Sequence, residues 1–213
     1  MNVDKSSASL VEVATSQPVA AELWDAITEQ QLDDWEVDWV PALRDVVERM
    51  KAAGVGRSQL PQSRHWDWRS KAATFSGSLA NPSFCVVCQG MTQGMMILDT
   101  LHKARIVPQA GKELIYIEFL ESAPWNRRDI PGEQMRFAGV GSLLVRAAVE
   151  FSRAEGFKGR LGLHALPQSN DFYANVCGMT DLGVDDTYQS GTMRYFEMTP
   201  EQAEDFIAKG GNP

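Results

Sequence analysis

The chain has 213 residues, a formal net charge of -8, 44% hydrophobic and 23% charged residues, an ordinary globular balance with length enough to bury a substantial core, which excludes a fibrous or disordered protein. The acidic balance argues against a nucleic-acid partner, because affinity for phosphate backbones depends on clustered Lys and Arg; it is compatible with an amine substrate, although net charge also serves solubility alone. No run reaches the roughly 18 apolar residues of a membrane span, the N-terminus lacks a charged-then-apolar leader, and three cysteines are too few for a disulfide framework, so the expectation is a cytoplasmic protein with free thiols and no membrane partner.

Residues 1–9 are polar and read as a flexible lead-in. Residues 10–15, Leu-Val-Glu-Val-Ala-Thr, alternate as a half-buried strand does, and Ser16-Gln17-Pro18 breaks the pattern. Apolar spacing then predicts a helix over residues 19–27 and another over 41–53, where Leu43, Val46, Val47 and Met50 form one stripe and Gly54 ends it. These helices flank an acidic, Trp-rich segment at 32–40. Residues 55–81 show no sustained period and read as an ordered loop, in which Trp66 and Trp68 either shape an acceptor pocket or cover the core edge.

From Pro82 the pattern is that of strands. A hairpin is predicted from 84–89 and 95–98 around a turn at 90–94, and a third strand over 114–120 completes a meander. Cys85 and Cys88 form a Cys-x-x-Cys inside the first of these strands, where an offset of three puts the side chains on opposite faces, so no metal site is expected. Val140, Leu143, Leu144, Ala147, Ala148 and Phe151 predict a helix over 139–155, with Gly156 as its stop and Phe157 as the apolar contact beyond. A strand at 159–165, a short helix at 171–176 and a β ending at 193–198 follow. Thr199-Pro200-Glu201-Gln202 combines a capping box with proline at the first helical position and predicts a C-terminal helix.

Arg136-Phe137-Ala138-Gly139-Val140-Gly141 lies between a strand and the long helix, where free backbone N–H groups and the positive end of the helix dipole can hold a pyrophosphate. Its two glycines let the backbone approach phosphates without a Cβ. The same residues suit a tight turn with close helix packing. A dinucleotide loop would need a third glycine where Leu144 stands, and no Gly-Lys-Ser/Thr loop is present.

With the elements around it, this segment resembles the GNAT acetyltransferase superfamily, whose Arg/Gln-x-x-Gly-x-Gly/Ala signature is matched by Arg136, Gly139 and Gly141. The resemblance spans residues 80–198 and continues through Leu161-Gly162-Leu163-His164-Ala165 to Phe172-Tyr173 and Gly178-Met179. It departs from the family in the added polar loop 126–135 and in a shortened linker before Tyr173.

The resemblance implies an α/β (α+β) GNAT fold: a mixed central sheet with splayed strands, flanked by helices, in a single domain over 1–213. Residues 19–81 would form the acceptor side and 82–198 the coenzyme A-binding core. It implies acetyl-CoA, or another short acyl-CoA, as co-substrate, with no metal. Binding would involve the backbone of Leu120, Glu121 and Ser122, the segment Arg136, Phe137, Ala138, Gly139, Val140 and Gly141 with Ser142, and Asn170. Arg127, Arg128, Lys158 and Arg160 could reach outer phosphates or be ordinary solvated charges.

Acyl transfer to an amine needs a base. Glu118, an acid in an apolar strand close to the splay, is the first candidate, with Tyr116 on its face; a solvated strand position is the alternative. Glu121 and His164 are secondary. Tyr173 matches the family residue that protonates the leaving thiolate, or is a core aromatic. The function expected is N-acetyl transfer to a small-molecule or peptide amine by direct attack in a ternary complex. The alternatives are a non-catalytic acyl-CoA-binding sensor or scaffold and a toxin-like enzyme acting on aminoacyl-tRNA, which the acidic balance disfavours. A homodimer is compatible with each.

Overall fold

The computed structural model describes residues 3–130, 135–188 and 191–210. The chain divides into two compact units, one of Met1–Ser78, Ser83–Met95 and Glu121–Val140, the other of Leu79–Pro82, Met96–Leu120 and Gly141–Pro213.

The first unit opens with a hairpin of β1 (Lys5–Glu12) and β2 (Gln17–Trp24), paired from Lys5↔Trp24 to Glu12↔Gln17. This corrects two expectations. Residues 5–9 are paired strand rather than a flexible lead-in, and 17–24 are strand rather than helix. The cause is the turn: Ser16 takes φ 56°, and its N–H bonds Glu12 O at 2.8 Å, which returns the chain onto β1, and pairing overrides a helical spacing of small apolar residues.

The Trp-rich segment is helical. α1 (Glu29–Asp34) passes through a π-helical turn, Trp35–Trp39, into α2 (Val40–Ala52). The wide turn directly precedes Pro41, which has no N–H to continue the ladder and whose ring crowds the preceding turn. The predicted stripe holds, with Val46, Val47 and Met50 packing on Leu60 and Ile130. Gly54 at φ 77° ends the helix, and Val55 N–H bonds Met50 O at 3.0 Å. Residues 55–81, expected as loop, contain α3 (Trp68–Phe75), capped by Asp67, whose carboxylate accepts from Ser70 N–H; the single-turn apolar content gave no period to read.

β3 (Ser83–Cys88) turns into β4 (Met91–Lys103) through Gln89 and Gly90 alone, both at positive φ, so the strand starts where a five-residue turn was expected. The buried thiols of Cys85 and Cys88 donate to Ala26 O and Ala20 O respectively, and burial pushes the Cys85 thiol up to about 12. β5 (Glu113–Ser122) and the short β6 (Phe137–Ala138) complete the elements that contribute to this unit, β6 pairing with the end of β1. Residues 131–134 of the polar loop lie outside the described residues.

The second unit holds the remainder of β4 and most of β5, then α4 (Val140–Ala154), β7 (Leu161–Ala165), β8 (Thr180–Val184), β9 (Arg194–Met198) and α5 (Pro200–Ala208). α4 ends as predicted, with Gly156 at φ 81° and Phe157 N–H on Ser152 O at 2.7 Å. The Thr199–Gln202 capping box starts α5. β8 carried no clear alternation and was not anticipated. Among the described residues the strands form a mixed sheet of nine in the order β6-β1-β2-β3-β4-β5-β7-β9-β8.

Candidate active site

Within the second unit β5 and β7 run parallel but pair only at Ile115↔Leu161 and Tyr116↔Gly162. β5 continues to Ser122 and β7 to Ala165, so the strands part beyond Tyr116 and leave ladder groups on their facing edges. The register from β7 to β9, Gly162↔Glu197 and His164↔Tyr195, puts Tyr116, Gly162, His164, Tyr195 and Glu197 on one face of the sheet and Leu161, Leu163 and Phe196 on the other. Gly162 belongs to that crowding: a Cβ there would stand 2.6 Å from the Tyr195 hydroxyl.

A chain of polar groups crosses the first face. Tyr116 Oη lies 2.6 Å from His164 Nδ1, His164 Nε2 lies 3.0 Å from Asp185 Oδ2, and Arg105 donates to the same oxygen at 2.6 Å. The Arg105 guanidinium, followed by Thr187 and His164, holds the Asp185 carboxyl well below the usual carboxylate range. An ionised carboxylate only accepts, so His164 donates from Nε2 and receives the Tyr116 proton at Nδ1. Burial, opposed by Asp185, draws the His164 pKa below its ordinary value, which keeps the ring neutral. Burial first and then Tyr188 push the Tyr116 phenol up, so it remains a donor. Tyr188 stacks on His164 at 3.7 Å and His102 on Tyr116 at 4.1 Å, while Glu197 accepts from Gln109 Nε2, Arg105 N–H, Ile106 N–H and Tyr195 Oη.

This arrangement has a pH signature. A base whose folded pKa is lowered binds fewer protons folded than unfolded, so stability is complete above about 6.5 and falls as pH drops towards the folded value. Denaturant unfolding between pH 7 and 5 should show His164→Gln losing less stability across that window than the parent chain; equal losses would remove His164 as the buried neutral group.

Glu118 is half-buried, two residues past the last β5–β7 pair, and its charge acts on Tyr116; alternation places it on the face of Tyr116 and His164. His164 is occupied by Tyr116 and Asp185 at both nitrogens, which weakens it as a base. Tyr173 lies in a π-helical turn, Phe172–Val176, with its ring 5.1 Å from Phe172 and 6.0 Å from Phe196, on the opposite face. Burial holds its phenol protonated, well above the ordinary range. Asn170 Oδ1 is buried with no hydrogen-bond partner. Gly141 packs under Phe172, whose Cζ would be 3.0 Å from an added Cβ, so the close-packing reason for this glycine holds. Ser142 is buried in the first turn of α4 and Leu120 half-buried on β5. Arg160 is buried, with Nε donating to Glu113 O at 2.7 Å, and does not face solvent as a free charge.

In the first unit the start of the signature is anchored rather than open. Arg136 N–H bonds Trp125 O, its carbonyl accepts from Val13 N–H, both at 2.9 Å, and Phe137 N–H bonds Asn126 Oδ1 at 3.0 Å. Arg136 and Phe137 therefore offer no backbone donor to a phosphate, and Ala138 lies in the β6–β1 ladder. The Arg136 guanidinium lies 4.8 Å from the centre of the Trp125 ring. Gly139 at φ 94° makes the turn into Val140, after which the first helical N–H groups have no partner within the helix. Ser122 is half-buried at the end of β5. The Glu121 side chain has partners of its own: Oε2 accepts from Trp68 Nε1 at 2.7 Å, and Arg127 lies 3.5 Å from Oε1.

The Arg127–Ser63 and Arg105–Asp185 contacts were beyond reach of the sequence, because they join residues 64 and 80 positions apart. Strand alternation put Tyr116 on the face of Glu118, while His164 was named only as a secondary base.

No family model matches the chain, and no curated protein matches it. Solved structures do. The GNAT domain of S. lividans PAT is 15% identical with a TM-score of 0.51 over 90% of this chain and 97% of that chain. FeeM, an N-acyl amino acid synthase from uncultured soil microbes, is 11% identical with a TM-score of 0.50 over 99% and 98%. An arylalkylamine N-acetyltransferase from the yellow fever mosquito is 11% identical with a TM-score of 0.50 over 93% and 95%. At these identities the likeness is one of fold, and the chain has the GNAT fold.

Proposed function

We propose that the protein is an acyl-CoA-dependent N-acyltransferase that passes acetyl, or another short acyl group, to an amine by direct attack. The observation that carries this reading is the parting of β5 and β7 beyond Tyr116↔Gly162, because it leaves backbone donors and acceptors that can pair with the amide-containing arm of coenzyme A as an added strand would. Two further features of the second unit fit that ligand: the orphaned Asn170 Oδ1 and the first turn of α4 at Gly141 and Ser142, whose N–H groups point out of the helix start. Acyl-CoA, when bound, supplies the activated thioester.

The residues of this chain then have separable tasks. A backbone N–H at the edge of β5 can polarise the acyl carbonyl. Glu118 takes the proton from the attacking amine. Tyr173, kept protonated by burial on the other face, donates to the departing thiolate. Base and acid on opposite faces of a parted sheet suit a reaction in which the amine enters from one side and the thiolate leaves from the other. Tyr116, fixed by His164 and Asp185, presents a hydroxyl beside Glu118 that positions the amine or a water.

The acid role is checked by Tyr173→Phe, which should lower kcat for amide formation while leaving the KM for the amine unchanged; steady-state kinetics with unaltered turnover would remove Tyr173 as the acid. Acyl transfer as a whole is tested by amine-dependent thiol release from acetyl-CoA.

A further inference from the structure

The first unit contains a cavity of about 350 Å³ lined by Trp35, Trp39, Trp66, Ser63 and Glu121, with Arg44 and Arg64 among its other walls. This is within the size range of small-molecule sites, about 300–1,000 Å³. Glu121 and Ser63 are buried, and the indoles of Trp35 and Trp66 are half-exposed, so the cavity has a polar floor and aromatic walls.

The charges beneath that floor do not cancel. Arg127 is held as a fork by Asp129, with Nε to Oδ1 at 3.0 Å and the second terminal nitrogen to Oδ2 at 2.6 Å. Its remaining nitrogen donates to Ser63 Oγ at 2.7 Å and reaches Glu121 Oε1 only at 3.5 Å. Two buried or half-buried carboxylates thus share one guanidinium, and Asp129 has the better geometry. Glu121 is steadied by Trp68 Nε1, a neutral donor, and its guanidinium partner stands only at 3.5 Å. Of the other charged groups on the walls, Arg64 donates to Pro61 O at 2.9 Å, Asp67 caps α3 through Ser70, and Arg44 lines the cavity from an exposed position on α2. Lys71 lies over the Trp66 ring at 4.7 Å, so that indole already accepts a cation on one face.

We infer that this cavity binds a cationic amine carried on an apolar, aromatic-sized body, with the ammonium beside Glu121 and the body between the indoles. A carboxylate whose guanidinium stands at 3.5 Å has room for an ammonium, and indole faces favour both the cation and the apolar body. This binding is independent of the acyl-transfer reading and places no amine at Glu118.

Tryptophan fluorescence titration without any acyl donor separates the two. Phenethylamine should quench saturably and bind at least about tenfold more tightly than the neutral 2-phenylethanol, a difference of about 1.4 kcal/mol. Glu121→Gln should bring the amine to the level of the alcohol, and Trp66→Ala should weaken both ligands, in variants whose circular dichroism matches the parent. Trp66 is half-buried, so that variant keeps the test open where Glu121→Gln fails to fold. Equal binding of amine and alcohol, retention of the amine preference in Glu121→Gln, or no saturable quench would overturn the inference, whatever the outcome of thiol-release assays.

Discussion

Glu118→Gln should lower kcat/KM for amide formation from acetyl-CoA by about 10²–10⁴-fold, the usual contribution of a positioned base. The side chain is half-buried on β5, just past the point where β5 and β7 part, beside a Tyr116 hydroxyl that is fixed by His164. Glutamine keeps the length and shape of the side chain and removes its ability to take a proton. The fall should therefore appear in kcat, with coenzyme A affinity unchanged. A variant within a few-fold of the parent would move the base elsewhere. Glu121 is the competing carboxylate, and its surroundings predict a different outcome: burial pushes its pKa up, opposed by Arg127, Ser63 and Trp68, and its removal should change ligand binding in the first unit before it changes the chemistry.

Trp68→Ala should cost about 3–5 kcal/mol of stability, the range for truncating a large buried aromatic. Trp68 has no exposed surface and is the first residue of α3, so the loss combines a cavity with the orphaning of Glu121, whose Oε2 it holds at 2.7 Å. Trp68→Phe separates these contributions, since it keeps most of the packing and leaves the carboxylate short of one donor, a loss of about 1–3 kcal/mol. Urea unfolding of the two variants checks both values. A Trp68→Ala unfolding free energy within about 1 kcal/mol of the parent's would mean that the Trp68–Glu121 contact does not organise the first unit.

The parts of the fold that the sequence made legible are those whose signals are local. The stripe Leu43 to Met50, the Gly156-Phe157 stop and the Thr199 capping box each specify their own geometry within a turn or two, and each formed as read. Residues 17–24 were misread because Val19, Ala20, Ala21 and Leu23 have no strong preference of their own and the positive φ of Ser16 decides their pairing. α3 was missed for the same reason: its one buried side chain, Trp68, makes no period. The candidate site divides along a similar line. Strand alternation put Tyr116 and Glu118 on one face, and the register of β5 and β7 adds His164 to it. It could not find Asp185, which bonds His164 from a loop and holds Arg105, nor show that Arg136 and Phe137 turn their N–H groups to Trp125 and Asn126. Motif matching treated the signature as an open loop, whereas its first residues are a strand edge and the donors begin after Gly139.

The most direct test is release of free thiol from acetyl-CoA, followed in parallel with amide product by mass spectrometry across a panel of primary amines that includes phenethylamine. The proposed function predicts release that depends on the amine, matches the amide formed mole for mole and is lost in Glu118→Gln. Binding of coenzyme A with no amine-dependent release on any member of the panel would contradict it and leave a GNAT fold that holds the donor without using it.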